Sequence, residues 1–162
     1  MRKIKIIGAG SIGNHLAHAC RHKNWQVDLY DLDNNALDRT KNMIFPSRYG
    51  KWDDKINLYN TKNDKIKKSY DVIFIGTPPD THLKLALKEL SNEPELICIE
   101  KPLCHPDLKK LQHFVEKKKK FKTKILVGYD HTVGKSADFI AKKLNNININ
   151  QVAYVDVEIR EH

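Results

Sequence analysis

Ile4-Lys5-Ile6-Ile7-Gly8-Ala9-Gly10-Ser11-Ile12-Gly13-Asn14-His15-Leu16-Ala17 and, a little further on, Val27-Asp28-Leu29-Tyr30-Asp31 are the two stretches that decide how this chain folds. Each opens on a short aliphatic run, the pattern of a strand buried on both faces. The first run breaks at Gly8 and passes directly into helical spacing, with Ile12, Leu16 and Ala19 on one stripe. Glycines at 8, 10 and 13 suit a loop in which the first turns tightly, the second lets backbone approach a pyrophosphate and the third lets the helix lie close to the strand. Ser11 and Ile12 complete that loop, and the helix start that follows stabilises an anion. The second run ends on Asp31, eighteen residues past Gly13. There a carboxylate accepts hydrogen bonds from an adenosine ribose.

Outward from this pair, aliphatic blocks at 72–75, 96–99 and 125–127 alternate with helical patterns at 12–21, 35–44, 81–90 and 107–118. The order predicts an α/β fold, a doubly wound parallel sheet with right-handed crossovers. A weaker block at 56–59 supplies another short strand, and 45–54, with Pro46 and Gly50, reads as an irregular excursion. After Gly134 comes a helix at 136–144, then 151–160, where Val155, Val157 and Ile159 alternate with Asp156, Glu158 and Arg160. Such alternation marks a strand wet on one face, so a second sheet is expected to begin there. Two domains follow: a dinucleotide-binding domain at 1–131, and at 132–162 the first helix and strand of a second one, cut short.

Composition removes several functional classes. The 162 residues carry a net charge of +9, which raises nucleic acid as a partner. Residues 101–124, however, hold nine lysines against two acids, so most of the excess sits on one helix end. Arginine forks and interleaved aromatics, the tools of base recognition, are missing, and no nucleic-acid partner is expected. No run of apolar residues is long enough to span a membrane. Cys20, Cys98 and Cys104 are odd in number and lack metal or redox spacing, which predicts free thiols and a cytoplasmic location. His15, His18 and His22 lie within about 60° of one another on a helical wheel. No carboxylate or thiol joins them at matching spacing, and no metal site is assigned.

A carboxylate at Asp31 repels a 2′-phosphate, and Leu32-Asp33 offers no neighbouring arginine, so NAD is expected rather than NADP. Arg48, in the irregular excursion, is a basic group that complicates this choice.

Three further segments complete a pattern. Thr77-Pro78-Pro79-Asp80-Thr81-His82 follows the 72–75 strand, Glu100-Lys101-Pro102-Leu103-Cys104 follows the next, and Val127-Gly128-Tyr129-Asp130-His131 closes the last. With the glycine loop they resemble the Gfo/Idh/MocA oxidoreductases, the glucose–fructose oxidoreductase and inositol dehydrogenase family, across that family's N-terminal, Rossmann-fold half. The resemblance implies that Lys101 lies beside the nicotinamide and the substrate hydroxyl, where a cation orients the substrate and stabilises alkoxide charge. It also implies that Pro102 fixes the turn presenting Lys101, that Glu100 belongs to the same site and that Thr77 and Pro78 line the cofactor. His82 either bonds nearby backbone at a helix start or touches the cofactor, and His131 lies near the substrate. The substrate implied is sugar-like or a cyclitol, with most of its contacts in a second domain. Cofactor binding with little turnover is therefore expected of this polypeptide alone. The alternative is a non-catalytic NAD-binding module that docks a partner chain through the 151–160 strand.

Overall fold

A computed structural model describes residues 1–62, 68–129, 134–145, 147–148, 150, 154 and 156, in two compact units, Met1–Gly128 and Tyr129–His162. In the first unit the described strands are β1 (Lys3–Ile7), β2 (Gln26–Asp31), β3 (Ile56–Asn60), β4 (Val72–Ile75), β5 (Leu96–Glu100) and β6 (Lys124–Gly128). They form one sheet in the order β3-β2-β1-β4-β5-β6, and every neighbouring pair is parallel. Helices α1 (Ser11–His22), α2 (Asn34–Arg39), α3 (Phe45–Tyr49), α4 (Pro79–Leu90) and α5 (Leu111–Lys118) complete the unit. This is the doubly wound parallel sheet that the aliphatic runs predict.

Alternation along the strands divides the core into two layers. Ile4, Ile6, Val27 and Leu29 meet Ala17 and Cys20 of α1 and Ala36 and Leu37 of α2. On the other face Ile7, Ile73, Ile75, Ile97 and Ile99 meet Leu83, Ala86 and Leu90 of α4 and Phe114 of α5. Each fully buried aliphatic side chain contributes about 1.5–3 kcal/mol, so these rows supply the main term holding the sheet between its helices. Ile6 stands opposite Leu29 on one side and Phe74 on the other. β1, β2 and β4 therefore finish level, and their loops share one edge. The strand order reverses between β1 and β4 at that edge, which is where open α/β sheets bind ligands.

Two elements depart from the sequence reading. The expected excursion at 45–54 is helical in its first part: α2 runs through a π turn, Thr40–Ile44, into α3, with Pro46 near the start of α3. Proline lacks an N–H and crowds the carbonyl four residues earlier, which penalises it in a regular helix. The wider π turn upstream relieves both demands, and Phe45, 3% exposed, anchors the segment. The helix expected from 107 begins only at Leu111, because Asp107 Oδ1 accepts the Lys109 N–H at 3.1 Å and Leu108 and Lys110 take left-handed φ values of 54° and 75°. The short acidic side chain offers the backbone an alternative to helical bonding.

In the second unit, helix α6 (Lys135–Leu144) corresponds to the one expected at 136–144. The strand expected at 151–160 lies outside the described residues apart from Tyr154 and Asp156, and so does His131.

Candidate cofactor site

The site begins at the level edge where β1 turns into α1. The Gly8 N–H donates to Tyr30 O at 2.8 Å and the Gly76 N–H to Ile7 O at 2.8 Å, so the loop is tied to both neighbouring strands. Gly8 has φ +110°, and a Cβ there would lie 2.6 Å from Gly76 O. A Cβ on Gly13 would lie 1.9 Å from Gly8 O. Gly10 is different: a Cβ would meet nothing within 4 Å. Two glycines thus serve the fold, and the middle one leaves open space over the start of α1. The amides of Ser11, Ile12 and Gly13 have no intrahelical acceptor, since the helical ladder begins with Asn14 N–H to Gly10 O at 3.1 Å. With no acidic residue in that first turn, nothing local competes with an anion for them.

Asp31 ends β2 beside this loop. Its Oδ2 accepts the Ala9 N–H at 2.7 Å and its Oδ1 the Asp33 N–H at 2.9 Å. A carboxylate has about four acceptor positions, so Asp31 can brace the loop and still receive ribose hydroxyls. Leu32, next to it, is 63% exposed. The sequence reading missed the underside of the loop. Asn14 is fully buried, its Nδ2 lying 3.1 Å from Ala9 O and 2.8 Å from Gly10 O, and Thr40 donates to Ala9 O at 3.1 Å. A polar residue inside an otherwise apolar helix stripe was the available signal. Arg48 lies on the helix α3 rather than in an irregular excursion, and α3 brings its Nη1 to 2.9 Å from Ser11 Oγ, at the start of α1.

The β4 and β5 loops approach from the other side. Thr77 Oγ1 lies 2.7 Å from Thr81 Oγ1, which donates to Pro78 O at 2.7 Å, so the Thr77-Pro78 turn is fastened to the first turn of α4. His82 is 0% exposed, with Nε2 2.6 Å from Thr77 O and Nδ1 3.0 Å from Pro102 O. Of the two arrangements expected for His82, the backbone contacts are the ones these distances describe, joining the Thr77 and Pro102 turns. Glu100 Oε2 accepts the Lys101 N–H at 3.2 Å, Lys101 is exposed, and the Lys101-Pro102 bond is cis. The absence of a side chain at Gly128 makes room for Glu100, since a Cβ would sit 2.8 Å from its Oε1.

A cleft of about 840 Å³ runs between the loops after β1, β2 and β4, lined by Gly8, Gly10, Asp31, Leu32, Thr77 and Pro78 among others. Its size falls in the range of small-molecule and cofactor sites. A smaller cavity of about 410 Å³, by Lys3, Gln26, Lys68 and Tyr70, lies at the opposite, amino ends of the strands. None of the three cysteines lines the cleft. Burial pushes the Cys20 thiol up to about 11, burial and the Glu100 charge push the Cys98 thiol up, and all three cysteines are free. Among the described residues, no three metal-ligating side chains converge, and no helix is long and apolar enough to cross a membrane.

Comparisons with known proteins agree with this geometry. Residues 2–129 match the oxidoreductase family GFO_IDH_MocA, NAD-binding Rossmann fold. No curated protein matches the chain in sequence. Among solved structures, myo-inositol 2-dehydrogenase from Lactobacillus plantarum superposes with a TM-score of 0.70 at 21% identity, over 90% of this chain and 41% of its own. The WlbA dehydrogenase from Bordetella pertussis, solved with NADH and UDP-GlcNAcA, gives 0.67 at 14% identity, over 89% and 42%. An oxidoreductase from Agrobacterium radiobacter, solved with NAD+, L-tartaric acid and magnesium, gives 0.69 at 15%, over 89% and 40%. These likenesses concern the fold, and the chain spans about two fifths of the length of the proteins it resembles. With the glycine loop, Asp31 and the Glu100-Lys101-Pro102 turn all on one edge of a parallel sheet, this chain belongs to the Gfo/Idh/MocA oxidoreductase family, as its NAD-binding Rossmann domain.

Proposed function

We propose that the chain binds NAD in preference to NADP and is the cofactor half of an oxidoreductase that moves hydride between nicotinamide and a hydroxyl of a sugar-like or cyclitol substrate. The observation that carries the reading is Asp31, bonded to the Ala9 N–H at 2.7 Å, at the foot of a loop left open at Gly10. The pyrophosphate of a dinucleotide fits over the amides of Ser11 and Ile12, where a Cβ on Gly10 would otherwise stand. Asp31 and Leu32 then face the adenosine end, and Thr77 and Pro78 line the path toward Lys101. A nicotinamide bound there supplies a hydride acceptor or donor. Lys101 orients the substrate hydroxyl and stabilises its developing alkoxide charge, and Glu100 holds the turn that carries Lys101. His131 is proposed as a substrate contact.

Most substrate contacts are assigned to a second domain, in keeping with the greater length of the solved neighbours. A cytoplasmic location is proposed from the free thiols.

Asp31 gives the sharpest test of cofactor choice. Asp31→Ala removes both the ribose acceptor and the charge that repels a 2′-phosphate, so NADH affinity falls about tenfold while NADPH affinity holds or rises. Fluorescence titrations of wild type and variant with both cofactors read this. Parallel losses for the two, or none, remove Asp31 from cofactor selection.

A further inference from the structure

We propose that Arg48 is a ligand of the dinucleotide's pyrophosphate, seated there by Tyr49, which His15 and His18 hold against the flank of α1. The proposal rests on the cofactor reading above and adds to it a residue outside the glycine loop. Arg48 Nη1 donates to Ser11 Oγ at 2.9 Å, and Ser11 is the first residue of α1. The guanidinium therefore sits within one side chain's length of amides that lack an intrahelical acceptor. It has five N–H donors in a planar fork, so the bond to Ser11 leaves others for phosphate oxygens, which Arg matches in geometry and charge. With no acid in the first turn of α1, nothing there neutralises it before a ligand arrives.

The neighbouring contacts explain why a residue on the short helix α3 stays in place. The Tyr49 hydroxyl bonds His15 Nδ1, and the Tyr49 ring stacks on His18 with centroids 4.1 Å apart and planes at 13°. Burial, followed by the charges of His22 and His15, disfavours the imidazolium form of His18, so a neutral ring packs against Tyr49. From below, Phe45 packs edge-on against both Tyr49 and Trp52, at 5.0 and 5.1 Å. The histidines that share one face of α1 thus act as a seat for Tyr49, and Tyr49 fixes the residue before it at the α1 N-terminus.

Titrations with NADH, ADP-ribose and adenosine separate a phosphate ligand from a structural residue. Arg48→Ala is expected to weaken NADH and ADP-ribose about tenfold, in line with one lost charge-assisted hydrogen bond, while adenosine binding stays as in wild type. The salt dependence of NADH binding also falls. Tyr49→Ala reproduces the selective loss, and the double variant is no weaker than the stronger single one, because both changes act on one guanidinium. Arg48 is exposed, so its replacement leaves the melting temperature near wild type. Unchanged NADH affinity in Arg48→Ala, or an equal loss for adenosine, overturns the proposal. A wild-type chain that binds neither NADH nor ADP-ribose overturns the cofactor reading and this proposal with it.

Discussion

Gly13→Ala lowers the stability of the domain by about 3 kcal/mol or more, and the melting transition falls by roughly 10 °C. The single added methyl group would stand 1.9 Å from Gly8 O, a backbone atom that cannot rotate away. Relief requires α1 to move off β1, and that movement disturbs Ala17 and Cys20 against Ile4 and Ile6 in the first core layer. Interiors are packed too densely to absorb such a shift cheaply. Gly10→Ala is the matched control. Its methyl meets nothing within 4 Å, so thermal unfolding stays within about a degree of wild type, while the space a pyrophosphate needs is narrowed. Equal melting temperatures for the Gly13 and Gly10 variants would show that the close contact of helix and strand is not what Gly13 provides.

His82→Ala is expected to cost about 2–4 kcal/mol, from a backbone carbonyl left without its donor and the cavity left by the ring. The greater consequence is local. Nε2 and Nδ1 lie 2.6 Å from Thr77 O and 3.0 Å from Pro102 O, so one ring joins the turn after β4 to the turn that carries Lys101. Its removal frees those two turns from each other while leaving β1, α1 and β2 untouched. Hydrogen exchange is therefore predicted to accelerate at 77–81 and 101–104 and not at 4–16, and His82→Gln, which keeps a side-chain donor, recovers part of the protection. Uniform acceleration across the domain would mark His82 as an ordinary core residue.

These two residues also show how far the sequence could be read. The glycine loop and Asp31 were legible because their chemistry is local: a turn, a close approach and an acid at a strand end each demand a residue type at a fixed spacing. The strands were legible because burial on both faces leaves uninterrupted aliphatic runs, as in Ile97 and Ile99 of β5. What stayed hidden depends on partners distant in the chain. Lys5 and Asp28 look like polar interruptions, yet Lys5 pairs with Glu89 at 2.9 Å and Asp28 accepts from Lys68, Tyr70 and Asn57. The bond from His82 to Pro102 spans 20 residues, so no spacing rule reveals it. Arg48 was noticed as a basic group bearing on cofactor choice, but its seat on a helix was not, since Pro46 suggested a break where a π turn lets the helix continue.

Calorimetric titration of the purified chain with NADH, run beside Gly10→Val, asks whether a dinucleotide sits on the glycine loop. Wild type is expected to bind one equivalent saturably, and the Gly10→Val variant, melting as wild type does, to show no detectable binding. Failure of wild type to saturate, or undiminished binding by Gly10→Val, would contradict the placement of a dinucleotide on the Gly8 to Gly13 loop.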